Sequence, residues 1–208
     1  MELQFYGANC VRISTKKAGI VVDDNLAALG AKAILKAGEV ALYTTAHGAP
    51  LAEPKLVVDQ PGEYEVSDIS ITGIAARAHM DEAGAHTATM YRIVGEDVRI
   101  GIVGHVHPDL SNDQLEQLGR LDVLIVPVGG YGYTLDAIGA LKVIKAIEPK
   151  MVIPTHYDLA GLSYEVPQQT LENAVKELGM EPQPAVAKLR LKPGDFSEVT
   201  QLQILERA

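Results

Sequence analysis

The strongest constraint on the fold of this chain is a succession of short apolar runs, rich in β-prone residues, that fills the first half of the sequence. Polar or glycine-containing segments separate each run from the next. Runs of this kind between turn signals predict β-strands, and Gly95, Glu96 and Asp97 predict a hairpin turn between the last two. The predicted strands lie at 3–6, 10–14, 19–23, 40–44, 55–59, 69–74, 89–94 and 98–103.

The second half of the sequence alternates helical patterns with buried-strand runs. Many strands, with helices between the later ones, indicate a layered α/β protein with large mixed sheets. The predicted elements are a helix that starts at the capping-box pair Ser111 and Gln114 and ends near Gly119, a strand at 122–128, a helix at 135–147 capped by Thr134, a strand at 151–154, a helix from Pro167 to Gly179, and strands at 187–191 and 198–205.

Composition and charge limit the class of protein. The 208 residues are expected to form one domain, 1–208, and a hydrophobic fraction of 47% is sufficient for a large aliphatic core. The net charge of −9 argues against nucleic acid and anionic membranes as partners, and no apolar run approaches the ~20 residues of a membrane-spanning helix. We expect a small-molecule substrate or ligand instead, and formation of a homo-oligomer is compatible with the sequence.

The single cysteine and the start of the chain bear on its cellular compartment. No signal-peptide pattern follows Met1, and one cysteine cannot form an internal disulfide. We therefore expect a cytoplasmic protein in which Cys10 is a packed core thiol.

The histidines carry most of the functional information. Ligand sites in α/β sheets form outside the carboxyl ends of strands, so histidines that follow several strands are expected to converge on one edge. A single loop histidine is usually only a polar surface residue, and this reading stays open for His86 and His107. Four of the six histidines follow predicted strands, namely His47, His79, His105 and His156.

Several longer segments resemble one protein family. The segments "PGEYEVSDISITGI", "VRIGIVGHVHPDLSNDQLEQLG", "DVLIVPVGGYGYTLDA" and "PKMVIPTHYDLAGL" follow, in order, the pattern of the metallo-β-lactamase superfamily, in its branch of Zn-dependent hydrolases. "LQFYGANCVRI" resembles the first hairpin of that family, whose turn usually reads Gly-His-Ser. "GIVVDD" resembles the strand that places an aspartate at Asp23. The resemblance implies a four-layer αββα sandwich of the metallo-β-lactamase type.

The same resemblance indicates a degenerate metal motif. The family signature His-x-His-x-Asp-His falls on 45–50, where only its second histidine is present, as His47. By position, the downstream histidine is His79, the bridging aspartate is replaced by His105, and the final histidine is His156. The other motif ligands are replaced by Thr45, Ala49 and Pro50.

This ligand set implies at most one ion. The first site of the family keeps His47 and His79 and could gain His105, whereas the second keeps only His156. A zinc ion held by three imidazoles with an open position can activate water, so one zinc ion at His47, His79, His105 and His156 is the predicted centre.

Other side chains could serve the site. Asp81 is the candidate catalytic carboxylate in place of the missing motif aspartate, although a solvated loop acid is its more ordinary role. Asp23 and Asp24 are weaker candidates, since a turn explains them. Tyr131 or Tyr133, in the glycine-rich loop, could contact a ligand.

Two functions therefore remain open. The first is a metal-dependent hydrolase with an altered, at most mononuclear site, acting on a phosphoester, lactone or amide. The second is a non-catalytic relative that keeps the fold for binding or assembly. The loss of motif ligands favours the second, and the gain of His105 favours the first.

Overall fold

The computed structural model describes residues 1–208 and contains fourteen strands and three helices. The strands are β1 (Glu2–Gly7), β2 (Cys10–Ser14), β3 (Gly19–Val22), β4 (Val40–Leu42), β5 (Leu56–Val58), β6 (Gly62–Val66), β7 (Ile69–Ala76), β8 (Ala88–Gly95), β9 (Val98–Ile102), β10 (Val123–Pro127), β11 (Met151–Thr155), β12 (Pro182–Val186), β13 (Leu189–Arg190) and β14 (Gln201–Leu205). The helices are α1 (Asn112–Leu118), α2 (Ala137–Ile147) and α3 (Leu171–Leu178).

The strands form two sheets that share one core. The six-stranded sheet has the order β13-β1-β2-β3-β4-β5, and the eight-stranded sheet has the order β12-β14-β11-β10-β9-β8-β7-β6. A single hydrophobic cluster takes side chains from both sheets, for example Ile20 and Leu42 from the smaller and Ile71 and Ile125 from the larger. The expected sandwich of two sheets in an α/β protein is therefore confirmed.

Successive side chains along the strands of the smaller sheet point to opposite faces of that sheet. Ile20 and Val22 of β3 point into the shared core, whereas Val21 belongs to a second cluster with Leu26 and Leu35. The segment that supplies Leu26 and Leu35 contains turns and no helix. The three helices lie by the other sheet, where α1 contacts β7, α2 contacts β10, and α3 packs on α2.

Two of the three predicted helix starts are wrong. The capping box of Ser111 and Gln114 is confirmed at α1. The cap of α2 is Asp136, whose carboxylate accepts from the Gly139 amide at 2.7 Å, and not Thr134, whose buried hydroxyl has no partner. The third helix starts after Thr170 instead of at Pro167, because the intervening backbone pairs with other loops.

Several strand predictions are confirmed, and two strands were missed. The hairpin between β8 and β9 turns at Glu96 and Asp97, which have φ of 50° and 58°, as a two-residue turn of the I′ type requires. The missed strands, β6 and β12, lie at the two edges of the larger sheet. β12 contains two prolines, which are compatible only with an edge or strand-start position, and its sequence pattern is correspondingly weak.

The topology brings four strand ends to one edge. β9, β10 and β11 run parallel, and β7 is antiparallel to β8, which is antiparallel to β9. The carboxyl ends of β7, β9, β10 and β11 therefore point the same way. None of the helices is long and apolar enough to cross a membrane.

Candidate metal centre

His79, His105 and His156 are held together by backbone contacts at the shared strand edge. The amide of His79 donates to the carbonyl of His105 at 2.7 Å, and Ala78 pairs with Val106 in an isolated bridge. His156 follows β11 directly and has a φ of 52°, a left-handed conformation that is uncommon outside glycine. Its amide donates to the carbonyl of Ala8 at 2.8 Å, which ties the first hairpin turn to the same edge.

Two of the imidazoles are in direct contact. The ring centroids of His105 and His156 lie 4.5 Å apart, with the planes at 85°. Tyr133 packs against both, at 4.9 Å from the His105 ring and 5.8 Å from the His156 ring. Of the two tyrosines proposed to border the site, Tyr133 therefore lies in it, whereas Tyr131 is 67% exposed.

The protein fixes which nitrogen His156 presents. Its Nδ1 lies 3.0 Å from Oε1 of Gln168, and the amide of Gln168 is oriented by a second bond from its Nε2 to the carbonyl of Val166. Because Oε1 can only accept, Nδ1 of His156 carries the proton. Nε2 makes no hydrogen bond to the protein, so its lone pair is free for an external group. A partner of this kind on the second nitrogen is typical of metal-ligating histidines.

His79 presents the same ring nitrogen as His156. Its Nδ1 faces the carbonyl of Val106 at 3.4 Å, and Nε2 makes no hydrogen bond to the protein. His79 and His156 thus each present Nε2. His107 differs, since its Nδ1 accepts from the Asp109 amide and its ring lies near a separate cavity that contains His86.

His105 presents the opposite nitrogen. Its Nε2 lies 3.1 Å from Nδ2 of Asn9, whereas Nδ1 is buried without any hydrogen-bond partner. The structure therefore leaves Nδ1 of His105 one hydrogen-bond partner short, which is costly for a buried nitrogen.

His47 makes separate contacts. Its Nδ1 donates to the carbonyl of Gly48 at 2.6 Å, and its Nε2 faces a carboxylate oxygen of Asp59 at 3.2 Å. The ring stacks on Tyr43, with centroids 3.6 Å apart and planes at 6°. Both nitrogens are thus occupied, and an ion could use neither without breaking a contact.

The four histidines differ in their contacts. No group of three or more His, Cys, Asp or Glu side chains is arranged so that it could hold a metal ion. The structure brings His105 and His156 together, places the His79 loop beside His105, and leaves His47 in other contacts. The shared zinc site of four histidines stays a prediction.

Burial keeps the two inner imidazoles neutral. Desolvation lowers the pKa of His156 to about 4. Desolvation, and then the neighbouring His156 and His79, hold the pKa of His105 well below its ordinary value. Since a doubly protonated ring cannot coordinate a metal, this environment favours the neutral ring that coordination requires.

Asp81 stabilises a loop. Its carboxylate accepts from the amides of Ala78 and Thr87, at 2.9 and 3.1 Å, and from the Thr87 hydroxyl at 2.9 Å. The hydrogen bond from Ala78, with those from Thr87, lowers the pKa of Asp81. These contacts use both carboxylate oxygens, and the role of Asp81 as a catalytic carboxylate stays a prediction.

Asp23 is buried directly after the last residue of β3 in the smaller sheet. It accepts from the amide and the hydroxyl of Thr44, each at 2.7 Å, and has a φ of 44°. Burial raises the pKa of Asp23 to about 6. The carboxylate of Asp24 accepts from the Ile34 and Leu35 amides through one oxygen, which explains this residue as a turn former.

Two cavities adjoin the histidines. One, of about 150 Å³, is lined by His156, Tyr133, Tyr164 and Gln168, among others. The other, of about 170 Å³, is lined by His47, Tyr43 and the turn segment before β4. The sequence interpretation missed Asn9 and Gln168, which fix the rings of His105 and His156. The only signal in the sequence was the position of Asn9 in a hairpin turn that resembles the Gly-His-Ser turn of the family. No local motif marked Gln168.

Comparison with known proteins identifies the family. A family model described as the beta-lactamase superfamily domain matches residues 2–156 of the chain. The chain belongs to the β-lactamase superfamily. This match includes all six histidines and positions 45–50.

Relatives of known sequence carry the name UPF0173 metal-dependent hydrolase. The protein from Archaeoglobus fulgidus is 33% identical over 103 residues, which are 50% of this chain and 42% of that protein. The protein from Methanopyrus kandleri is 25% identical over 166 residues, which are 77% of this chain and 68% of that protein. The matches to the Archaeoglobus and Staphylothermus marinus proteins span less than half the length of each relative, 42% and 49%.

Solved structures support the fold of this β-lactamase superfamily member. A candidate Zn-dependent hydrolase of the metallo-β-lactamase superfamily from Thermotoga maritima is 22% identical, with a TM-score of 0.79 over 99% of both chains. A metallo hydrolase from Ignicoccus hospitalis is 16% identical, with a TM-score of 0.60 over 86% of this chain and 90% of the other. At these identities the likeness concerns the fold alone.

Proposed function

We propose that this protein is a metal-dependent hydrolase of the metallo-β-lactamase fold with an altered site that holds at most one metal ion. The observation that carries the proposal is the set of ring nitrogens without protein partners at one strand edge. His79 and His156 each present Nε2, and His105 presents a buried Nδ1. The names of the superfamily relatives give independent support for hydrolysis with a metal.

Imidazole donors suit a single ion such as zinc better than a dinuclear centre, although the structure arranges no three such side chains around one ion. Thr45, Ala49 and Pro50 stand at three ligand positions of the family motif, and the second site keeps only His156. When bound by three imidazoles, zinc would supply a water with a pKa near 7.

The residues of the chain would orient the rings and limit solvent. Gln168 holds Nδ1 of His156, and the Val106 carbonyl faces Nδ1 of His79, so that neither ring can turn without losing a hydrogen bond. Tyr133 covers the rings of His105 and His156. The expected substrate is a phosphoester, lactone or amide small enough for the adjoining cavity.

The contacts of His47 and Asp81 favour a second candidate function, a non-catalytic protein that keeps the fold for binding or assembly. Both nitrogens of His47 face oxygen atoms, and both oxygens of Asp81 stabilise a loop. A chain that had lost its metal would keep such contacts.

Zinc titration by calorimetry, with metal analysis of the untagged protein, separates the two functions. We expect at most one equivalent of tightly bound zinc, with an affinity that falls as the pH drops through the imidazole range. His105→Ala should abolish tight binding, whereas His107→Ala, in the same segment but facing another cavity, should retain it.

Different results would contradict the altered site and the hydrolase proposal. Two tightly bound equivalents would contradict the altered site, as would fast turnover of generic phosphodiesters or β-lactams. Equal absence of binding in the parent and both variants would end the hydrolase proposal in favour of the non-catalytic protein.

A further inference from the structure

Asn9 connects two buried groups of the larger sheet through its side-chain amide. Its Nδ2 lies 3.1 Å from Nε2 of His105, and the hydroxyl of Thr155 lies 2.9 Å from its Oδ1. Asn9, His105 and Thr155 are 5%, 9% and 1% exposed. A buried amide between two partners of this kind holds the His105 ring in one orientation, because rotation would leave polar atoms unpaired.

This contact reverses the nitrogen that His105 presents. His79 and His156 have Nδ1 in contact with an acceptor oxygen and Nε2 free. His105 has Nε2 in contact with Asn9 and Nδ1 free. The difference follows from the partners and not from the strand end, since all three histidines follow strands at the same edge.

The amide orientation sets the proton on His105. When Nδ2 of Asn9 donates to Nε2, the neutral ring carries its proton on Nδ1, and the Thr155 hydroxyl donates to Oδ1. When the amide turns over, Oδ1 accepts a proton from Nε2, and Nδ1 has a free lone pair. The Thr155 hydroxyl serves both orientations, because it can donate or accept.

The first orientation satisfies more groups in the protein alone. It leaves only Nδ1–H of His105 without a partner. The second leaves Nδ1 without a donor and the Thr155 hydroxyl without an acceptor, since Asn9 is the only hydrogen-bond partner of that hydroxyl. An ion at Nδ1 would reverse this preference, because it requires the lone pair.

We propose that Asn9 is a positioning residue that presents Nδ1 of His105 to the site and selects its tautomer, with a proton on Nδ1 in the metal-free protein and a lone pair there when a metal ion binds. The inference rests on the proposed function for its second part only. It assigns to Asn9 a role that a carboxylate could not fill in both states, since a carboxylate can only accept.

The first test reads the tautomer in metal-free protein. Two-bond ¹H–¹⁵N spectra distinguish Nδ1–H from Nε2–H for each histidine, and His105→Gln assigns the signals. We expect Nδ1–H for His105 in the parent and Nε2–H in the Asn9→Asp variant. Asn25→Asp, which adds the same charge at an exposed position near the site, should leave the parental tautomer. An unchanged tautomer in Asn9→Asp would overturn the proposal.

The second test reads zinc affinity by titration. Asn9→Leu removes both hydrogen bonds at similar volume and should weaken zinc binding roughly 10- to 100-fold, the usual effect of losing an outer partner. Asn9→Asp should bind at least as tightly as the parent. Equal affinity of Asn9→Leu and the parent would overturn the metal-bound part. If the parent binds no zinc, the proposed function fails, while the tautomer spectra still decide the role of Asn9.

Discussion

At the residue scale, the unusual ionisation of Asp23 follows from where its strand ends. Asp23 is 7% exposed, and its two oxygens accept only from Thr44. Burial disfavours the charged form more than these two hydrogen bonds favour it, which raises the pKa from 3.8 to about 6. The ionised carboxylate therefore destabilises the folded protein near neutral pH.

The variant Asp23→Asn tests this cost. Because the folded protein binds the proton more tightly than the unfolded chain, the parent should lose stability relative to the variant as the pH rises from about 4 to about 6. Two pKa units correspond to about 3 kcal/mol in the free energy of unfolding. Urea unfolding of both proteins at pH 4, 5, 6 and 7 measures the difference, and a difference that does not vary with pH would contradict the prediction.

At the element scale, the caps decide where the helices begin. Asp136 accepts from the Gly139 amide and starts α2, while Thr134, two residues earlier, points its hydroxyl into the core without a partner. Both residue types are good caps in sequence, and the geometry of the preceding glycine-rich loop selects between them. Gly130 in that loop has a φ of 72°, and its amide donates to the carbonyl of Leu135.

Substitution of the two residues should have unequal effects. Asp136→Ala leaves an amide of the first turn unpaired and should lower the free energy of unfolding by about 1 kcal/mol. Thr134→Val replaces an unpaired buried hydroxyl with a methyl group and should cost nothing or stabilise the protein. Chemical denaturation measures both, and a larger loss in Thr134→Val than in Asp136→Ala would show that the cap is misassigned.

At the scale of the whole molecule, closing the sandwich buries imidazoles that must charge in acid. His105 and His156 lie under loops from both sheets, and desolvation lowers both pKa values. The unfolded chain binds these protons more readily, so their contribution to stability is present above a pH of about 6.5 and is lost as the pH falls toward about 4. This slope is opposite to that of Asp23.

The variant His156→Gln should flatten the acid dependence. The loss of stability between pH 6.5 and pH 4 should shrink by about 3 kcal/mol, since the pKa of His156 falls from 6.5 to about 4 on folding. His86→Gln, at an exposed loop position, should keep the parental slope. Denaturation of the metal-free proteins over this pH range measures the free energy of unfolding of each. If it falls with pH in parallel for the parent and both variants, the expected effect of burial is refuted.

The sequence by itself determined the elements that depend on neighbouring residues. Short apolar runs predicted most strands, the Glu96–Asp97 turn predicted a hairpin, and Ser111 with Gln114 predicted a helix start. The placement of histidines after strands also indicated where a site would form, because β-strands of one sheet end at common edges. Such features require only local periodicity and chain direction.

Tertiary structure alone decided which atoms face the site. Asn9 contacts His105 across 96 residues, and Gln168 orients His156 although no local motif marks it. The edge strand β12 pairs with β14, a strand that the local sequence does not identify as its partner. The sequence cannot give the nitrogen that each imidazole presents or its pKa, because hydrogen-bond partners and desolvation arise from segments that meet only when the two sheets close over one core.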